Sequence, residues 1–125
     1  MIAELVAVGT EILLGNIVNT NSAYLSEKCA QLGLSVYYES VVGDNRDRMK
    51  ADRSDVVILS GGLGPTEDDL TKEVCAEVMG LPLSEDPHSR KRIERYMKEY
   101  KKNHPDRRVT SNNYKQAQVP EGAIV

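Results

Sequence analysis

Cysteine, histidine and long apolar runs are scarce in this sequence, and each shortage excludes a class of protein. The chain has two cysteines and two histidines. Because Cys29 and Cys75 have no C-x-x-C partner, neither a disulfide framework nor a zinc site is expected. No apolar stretch approaches the roughly 20 residues of a membrane-spanning helix. Residue 1 leads directly into a strand-like segment without a basic leader or cleavage site, so we expect a cytoplasmic protein without a membrane partner.

Length and charge fit one globular domain. The 125 residues are 40% hydrophobic and 28% charged, with a net charge of −3, which is ordinary for a folded, non-fibrous chain. Charge is unevenly distributed, because residues 85–108 carry nine Lys/Arg against five Asp/Glu. The acidic residues dilute this basic segment, and its apolar stripe has the spacing of a packed face. We therefore expect no specific binding to nucleic acid.

Strand-like and helix-like segments alternate along the chain. This alternation predicts an open, mostly parallel sheet covered by helices. Strands are predicted at residues 2–8, 35–42 and 55–59. Helices are predicted at residues 21–32 with Thr20 or Asn21 as N-cap, at 68–79, and from Asp86-Pro87 onward with a stripe of Ile93, Tyr96, Met97 and Tyr100. Residues 103–113 are predicted to form a connection, and residues 119–122 a turn.

The most informative segment is the glycine-rich turn at residues 60–71, Ser-Gly-Gly-Leu-Gly-Pro-Thr-Glu-Asp-Asp-Leu-Thr. Glycines let the backbone approach a ligand closely, and the N–H groups at a helix start favour an anion. The trio Glu67, Asp68 and Asp69 would repel a phosphate unless a cation lay between them. The segment therefore suggests a metal-dependent phosphate site. A tight loop followed by a helix cap fits the same residues.

Two further loops follow predicted strands and carry glycine with a carboxylate. They contain Gly9-Thr10-Glu11 and Gly43-Asp44-Asn45. Ligands of open parallel sheets bind at the carboxyl ends of the strands, so Glu11, Asp44 and Asp68 or Asp69 are expected at one rim. Common turn chemistry could also produce such loops.

Residues 9–15, 19–21, 42–45 and 61–71 closely resemble the N-terminal domain of the CinA (competence/damage-inducible) family. That domain belongs to the molybdopterin-binding, MoaB/MogA-like superfamily. The resemblance extends over the whole chain to Asn113, Gln116-Ala117 and residues 120–123. It implies a three-layer α/β/α sandwich with a mostly parallel sheet, which is often oligomeric.

The resemblance also implies an activity. Two aspartates that are critical in molybdenum-cofactor enzymes fall on Asp44 and Asp69. In CinA-like proteins this domain resembles a metal-dependent ADP-ribose pyrophosphatase, and deamidation of nicotinamide nucleotides belongs to a separate C-terminal domain. Leu63 stands where molybdenum-cofactor enzymes more often have Thr, which favours the CinA branch.

These observations give a hypothesis of metal-assisted diphosphate hydrolysis. Mg²⁺ is the expected metal, because it takes one or two carboxylates together with substrate phosphates. Glu11 is expected to orient water. The phosphate or sugar contacts are assigned to Gly61, Gly62, Gly64, Thr66, Asn19 and Asn21, and the metal to Asp44, Asp68 and Asp69. The alternatives are a molybdopterin-binding or adenylyl-transfer enzyme and a non-catalytic ligand-binding domain, so the small-molecule partner is a nucleotide or a pterin-like phosphate.

Three further expectations concern chain organisation. Residues 1–125 are predicted to form a single domain that is incomplete at its C-terminus. The connection at 43–54 is short for a crossover, which indicates missing residues near 50–51. Self-association is expected through the region of the last helix or the connection that follows it, because the Tyr, Met and Arg content of this helix is typical of interfaces. The alternative is that the apolar stripe of the helix covers the protein's own sheet.

Overall fold

A computed structural model describes residues 1–43 and 54–125 of the chain. The described residues form an α/β fold. Its elements are β1 (Ile2–Val8), α1 (Thr10–Leu13), α2 (Thr20–Gln31), β2 (Ser35–Val42), β3 (Val56–Ser60), α3 (Thr71–Met79), β4 (Leu83–Glu85), α4 (Pro87–Asn103), a 3-10 helix (Ser111–Ala117) and β5 (Gln118–Pro120). None of the described helices is long and apolar enough to cross a membrane.

The chain packs as two compact units. The first contains residues 1–62 and 68–71, and the second contains residues 63–67 and 72–125. The glycine-rich segment is therefore divided between them. That all 125 residues form one domain stays a prediction, and the proposed shortening near residues 50–51 lies outside the described residues.

The first unit is built around a parallel sheet of order β2-β1-β3. Six consecutive residues of β1, from Ala3 to Val8, are buried, because a parallel central strand is covered on both faces. The predicted bounds of the first two strands are confirmed, and β3 begins and ends one residue later than predicted. Leu5 and Ala3 form the core with Cys29 of α2.

Helix α2 begins one residue earlier than predicted and has a different N-cap. The side-chain oxygen of Asn19 accepts a hydrogen bond from the Ser22 N–H at 3.1 Å, so Asn19, and neither Thr20 nor Asn21, is the cap. Asn caps satisfy an N–H group that has no partner within the helix. The helix stops before Gly33, whose φ is +73°, as the sequence predicts.

The prediction that α3 begins at Asp68 was wrong, because the helix begins at Thr71. Asp68 and Asp69 therefore precede the first helical turn. Val74 is buried, but Val78 and Met79 are 54% and 64% exposed.

The second unit contains α4, which follows the sequence prediction closely. Pro87 occupies the first turn, and the Asp86 carboxylate accepts a hydrogen bond from the Ser89 N–H at 2.6 Å. This bond lowers the pKa of the Asp86 carboxyl. The short antiparallel pair β4–β5 and the 3-10 helix were not predicted. Residues 119–120, predicted as part of a turn, belong to β5.

Candidate functional site

The carboxyl ends of the three parallel strands lie side by side. Val8 pairs with Val42 and Ala7 pairs with Ser60 in the strand register. Gly9 directly follows β1, and its N–H donates to the Val42 carbonyl at 2.9 Å. The loops that begin at Gly9, Gly43 and Gly61 thus start at one edge of the sheet, where ligands of parallel sheets bind.

Gly61 and Gly62 adopt backbone conformations that other residues rarely take. Their φ angles are +101° and +60°. A Cβ on Gly61 would overlap the backbone carbonyl of Val8, and a Cβ on Gly62 would overlap the Thr71 hydroxyl. Glycine is required at both positions because the turn packs directly on β1 and on the start of α3.

Thr71 holds the carbonyl oxygens of this turn. Its hydroxyl donates to the Gly61 carbonyl at 2.8 Å, and its N–H donates to the Gly62 carbonyl at 3.2 Å. The Gly61 carbonyl and the Gly62 N–H belong to the same trans peptide and point in opposite directions. Because the Gly61 carbonyl faces the Thr71 hydroxyl, the Gly62 N–H points away from that hydroxyl. Sequence reasoning assigned no role to Thr71, although it closes the glycine motif.

The two predicted asparagines lie at the start of α2 and face neighbouring strands. The Asn19 amide donates to the Ser22 hydroxyl at 2.6 Å and to Glu39 of β2 at 3.4 Å. The Asn21 amide donates to the Ser60 hydroxyl at 3.0 Å, at the end of β3. Both side chains therefore fix α2 to the sheet, and their contact with a sugar or phosphate stays a prediction.

The predicted acidic residues occupy different environments. The Glu11 carboxylate folds back over Gly9, filling the space that a Cβ there would need. Asp69 is half-buried and Asp68 is exposed. Asp44 lies outside the described residues.

A cluster of three or more acidic, histidine or cysteine side chains that could hold a metal does not occur within residues 1–43 and 54–125. Because one member of the predicted metal set, Asp44, lies outside those ranges, the metal site stays a prediction. The carboxylates of Asp68 and Asp69 have the oxygen chemistry that Mg²⁺ prefers.

In the second unit, the 3-10 helix holds residues 63–67 of the glycine motif. The Lys115 ammonium donates to the Thr66 carbonyl at 2.7 Å. The Gln116 amide donates to the Leu63 carbonyl at 3.4 Å. Gly64 lies between these two attachment points, so the 3-10 helix fixes the backbone of the predicted phosphate loop.

A second lysine and a carboxylate complete this attachment. The Lys72 ammonium donates to the carbonyls of Lys115 and Gln116 at 3.2 and 2.8 Å. The Lys115 ammonium also forms an ion pair of 3.1 Å with Glu73, and both side chains are largely buried. Sequence reasoning missed Lys72 and Lys115, because an isolated lysine in a mixed-charge segment gives no signal of a long-range contact.

Replacing Lys115 with methionine should destabilise the protein by about 2 kcal/mol, because it leaves the Glu73 carboxylate unpaired in a partly buried site and removes a donor from the Thr66 carbonyl. Urea unfolding followed by circular dichroism measures this loss. Lys98→Met, at an exposed position of α4, is the matched control and should change the free energy of unfolding by less than about 0.5 kcal/mol. Equal stability of the two variants would contradict the structural role of Lys115.

Similarity to known proteins identifies the family to which the chain belongs. The family model described as "Probable molybdopterin binding domain" matches residues 4–122. CinA of Thermoplasma acidophilum is 35% identical, with a TM-score of 0.71 over 96% of this chain and 70% of that protein. The chain belongs to the CinA branch of the molybdopterin-binding domain family.

Other relatives agree with this assignment. Competence-damage inducible proteins of Symbiobacterium thermophilum and Streptococcus gordonii are 53% and 49% identical over 100% and 98% of this chain. The chain spans about 30% of the length of these relatives. The molybdopterin biosynthesis enzyme MoaB of Thermus thermophilus has the same fold, with 20% identity and a TM-score of 0.58 over 92% of this chain and 70% of MoaB. The predicted MoaB/MogA-like α/β fold class is confirmed.

Proposed function

We propose that this CinA-type domain hydrolyses the diphosphate bond of a nucleotide of the ADP-ribose type with the help of a divalent metal. The observation that carries the proposal is the turn at Gly61 and Gly62. Thr71 binds both carbonyls of this turn, and the trans peptide between Gly61 and Gly62 therefore directs the Gly62 N–H away from the Thr71 hydroxyl. An N–H group presented in this way at the carboxyl edge of a parallel sheet is suited to an anionic oxygen.

Carboxylates near this turn fit metal-assisted hydrolysis better than phosphate binding alone. Asp69 is half-buried and belongs to the same compact unit as Gly61 and Gly62. A half-buried carboxylate close to a phosphate would repel it without a cation between them. Asp68 and Asp69, with Asp44 from the sequence motif, would hold Mg²⁺, which when bound neutralises phosphate charge.

The protein's own groups have defined roles in the reaction. The Gly62 N–H binds a non-bridging phosphate oxygen, and Glu11 accepts a hydrogen bond from the attacking water. Water adds to one phosphorus, the bridging P–O bond breaks, and its electron pair leaves with the departing phosphate, while the proton of the water is released to solvent. From ADP-ribose the products are AMP and ribose 5-phosphate.

Incubation of the purified protein with ADP-ribose, NAD and a panel of pterins tests this function. Released AMP is measured by chromatography, with Mg²⁺ or with EDTA. We expect AMP from ADP-ribose only when Mg²⁺ is present. No AMP release from ADP-ribose or NAD in Mg²⁺ or Mn²⁺ would overturn the proposal.

The second candidate is a molybdopterin-binding or adenylyl-transfer domain. It is favoured by the match to the molybdopterin-binding family model and by the fold shared with MoaB. This function predicts consumption of ATP in the presence of molybdopterin. Tight binding of a nucleotide or pterin without any turnover would instead support the third candidate, a non-catalytic regulatory domain.

A further inference from the structure

A groove in the second unit runs between α4 and the 3-10 helix. One cavity of about 400 Å³ is lined by Ser89, Arg92, Ile93, Tyr96, Met97, Asn113 and Gln116. A neighbouring cavity of about 250 Å³ shares Tyr96, Met97 and Asn113 with it and adds Arg108 and Thr110. Together they have the size of small-molecule binding sites, which typically measure about 300–1,000 Å³.

Contacts within the second unit hold the two walls of the groove together. The guanidinium of Arg90 on α4 lies 3.3 Å from the centre of the Tyr114 ring in the 3-10 helix. Arg90 is also fixed by ion pairs of 2.9 Å with Glu85 and 3.0 Å with Glu94. The Arg90–Tyr114 contact joins α4 to the 3-10 helix, so the two walls of the groove are held together by residues outside its lining.

The lining combines an aromatic surface with positive charge. The Tyr96 side chain is 66% exposed although it lines both cavities. Arg92 lines one cavity and Arg108 the other. Asn113, which donates to the Thr110 carbonyl at 3.0 Å, lines both. A tyrosine ring stacks on a planar base, an amide pairs with the edge of a base, and a guanidinium binds phosphate.

One end of the groove is attached to the glycine motif. Gln116 lines the larger cavity, and its amide donates to the Leu63 carbonyl at 3.4 Å. Leu63 directly follows Gly62 in the sequence and precedes Gly64. The lining of the groove is therefore attached to the segment of the motif that lies in the second unit.

We propose that this groove of the second unit binds a nucleoside monophosphate, with the base on Tyr96 and the phosphate on Arg92 or Arg108. The proposal rests on the proposed function for the choice of a nucleotide as the ligand. Charge complementarity favours a nucleotide over an apolar ligand, because both cavities carry an arginine. A second copy of the chain covering Tyr96 is the competing occupant, in agreement with the self-association expected from the sequence.

Titration of the protein with AMP and with ribose 5-phosphate, followed by calorimetry, tests the groove. We expect AMP to bind more tightly than ribose 5-phosphate. Tyr96→Ala should weaken AMP binding about tenfold, the effect of losing one stacked base, and Arg92→Gln together with Arg108→Gln should also weaken it. Tyr24→Ala is the matched control, because Tyr24 is an exposed tyrosine of the first unit.

Each outcome separates the groove from the proposed function. Undetectable AMP binding, or equal AMP affinity of wild type and Tyr96→Ala, would overturn the groove assignment. If Tyr96→Ala then still hydrolyses ADP-ribose with the KM of the wild type, the proposed function survives without the groove. If AMP binds through Tyr96 but no substrate is hydrolysed, the groove survives and the proposed function fails. Dimers in light scattering that dissociate in Tyr96→Ala, without AMP binding, would assign the groove to a second copy.

Discussion

Replacing Gly61 with alanine should destabilise the protein by about 4 kcal/mol, a large part of the 5–15 kcal/mol typical of a native domain. The new Cβ would overlap the Val8 carbonyl oxygen, which is backbone and cannot rotate away. The residue would also have to adopt a φ of +101°, which is strained for any residue with a Cβ. Urea unfolding followed by circular dichroism measures the loss.

Gly33→Ala is the matched control for this substitution. Gly33 also has a positive φ, of +73°, but no atom lies within 4 Å of the position that a Cβ would take. Gly33→Ala should be destabilised only by the strain of its positive φ, which amounts to about 1–2 kcal/mol. If Gly61→Ala were no less stable than Gly33→Ala, the close packing of the turn on β1 would be wrong.

The second large effect is expected at Asp69. Asp69→Asn should lower turnover of ADP-ribose about tenfold or more, which corresponds to at least about 1.4 kcal/mol of lost transition-state stabilisation. The substitution keeps the size of the side chain but removes the negative charge proposed to attract the metal. Steady-state kinetics over a range of Mg²⁺ concentrations should show a higher Mg²⁺ requirement for the variant.

Glu67→Gln provides the control for the loss of one negative charge in the same segment. Glu67 is exposed, so its substitution should leave turnover within about twofold of wild type. Both variants should unfold at the urea concentration of the wild type. Unchanged turnover of Asp69→Asn at saturating Mg²⁺ would make Asp69 a structural residue.

The sequence predicted the strands of the parallel sheet well, because strands follow from local patterns. The apolar runs at Ile2–Val8 and Ser35–Val42 are strands with the predicted bounds. Each is followed by a glycine at the carboxyl end, so the rim could be located before any three-dimensional information. Helix α4 was equally predictable, since Asp86-Pro87 is a strong start signal.

The details of the site depended on contacts between distant residues. The start of α3 was misplaced, because acidic residues after a glycine turn resemble a helix cap. The Thr71 hydroxyl and N–H bind Gly61 and Gly62, which keeps residues 63–70 in a loop. The spacing of apolar residues in the sequence does not show that Thr71 closes a loop on Gly61 and Gly62.

The attachment of Thr66 to Lys115 illustrates the same limit over a larger distance. The two residues are 49 positions apart, and nothing in the local sequence of either one indicates the partner. The groove beside Tyr96 was likewise hidden, because the stripe of α4 was interpreted as a packed face. In the structure the stripe lines two cavities, and α4 contains no fully buried residue.

The central claim is that the glycine turn binds the diphosphate, and nuclear magnetic resonance of the backbone amides tests it most directly. The protein is titrated with a methylene-bridged, non-hydrolysable analogue of ADP-ribose in the presence of Mg²⁺. We predict that the amide resonances of Gly61 and Gly62 shift most among the glycines, while that of Gly33, which follows the end of α2, stays in place. Saturation by the analogue with no shift at Gly61 or Gly62 beyond that of Gly33 would contradict the account.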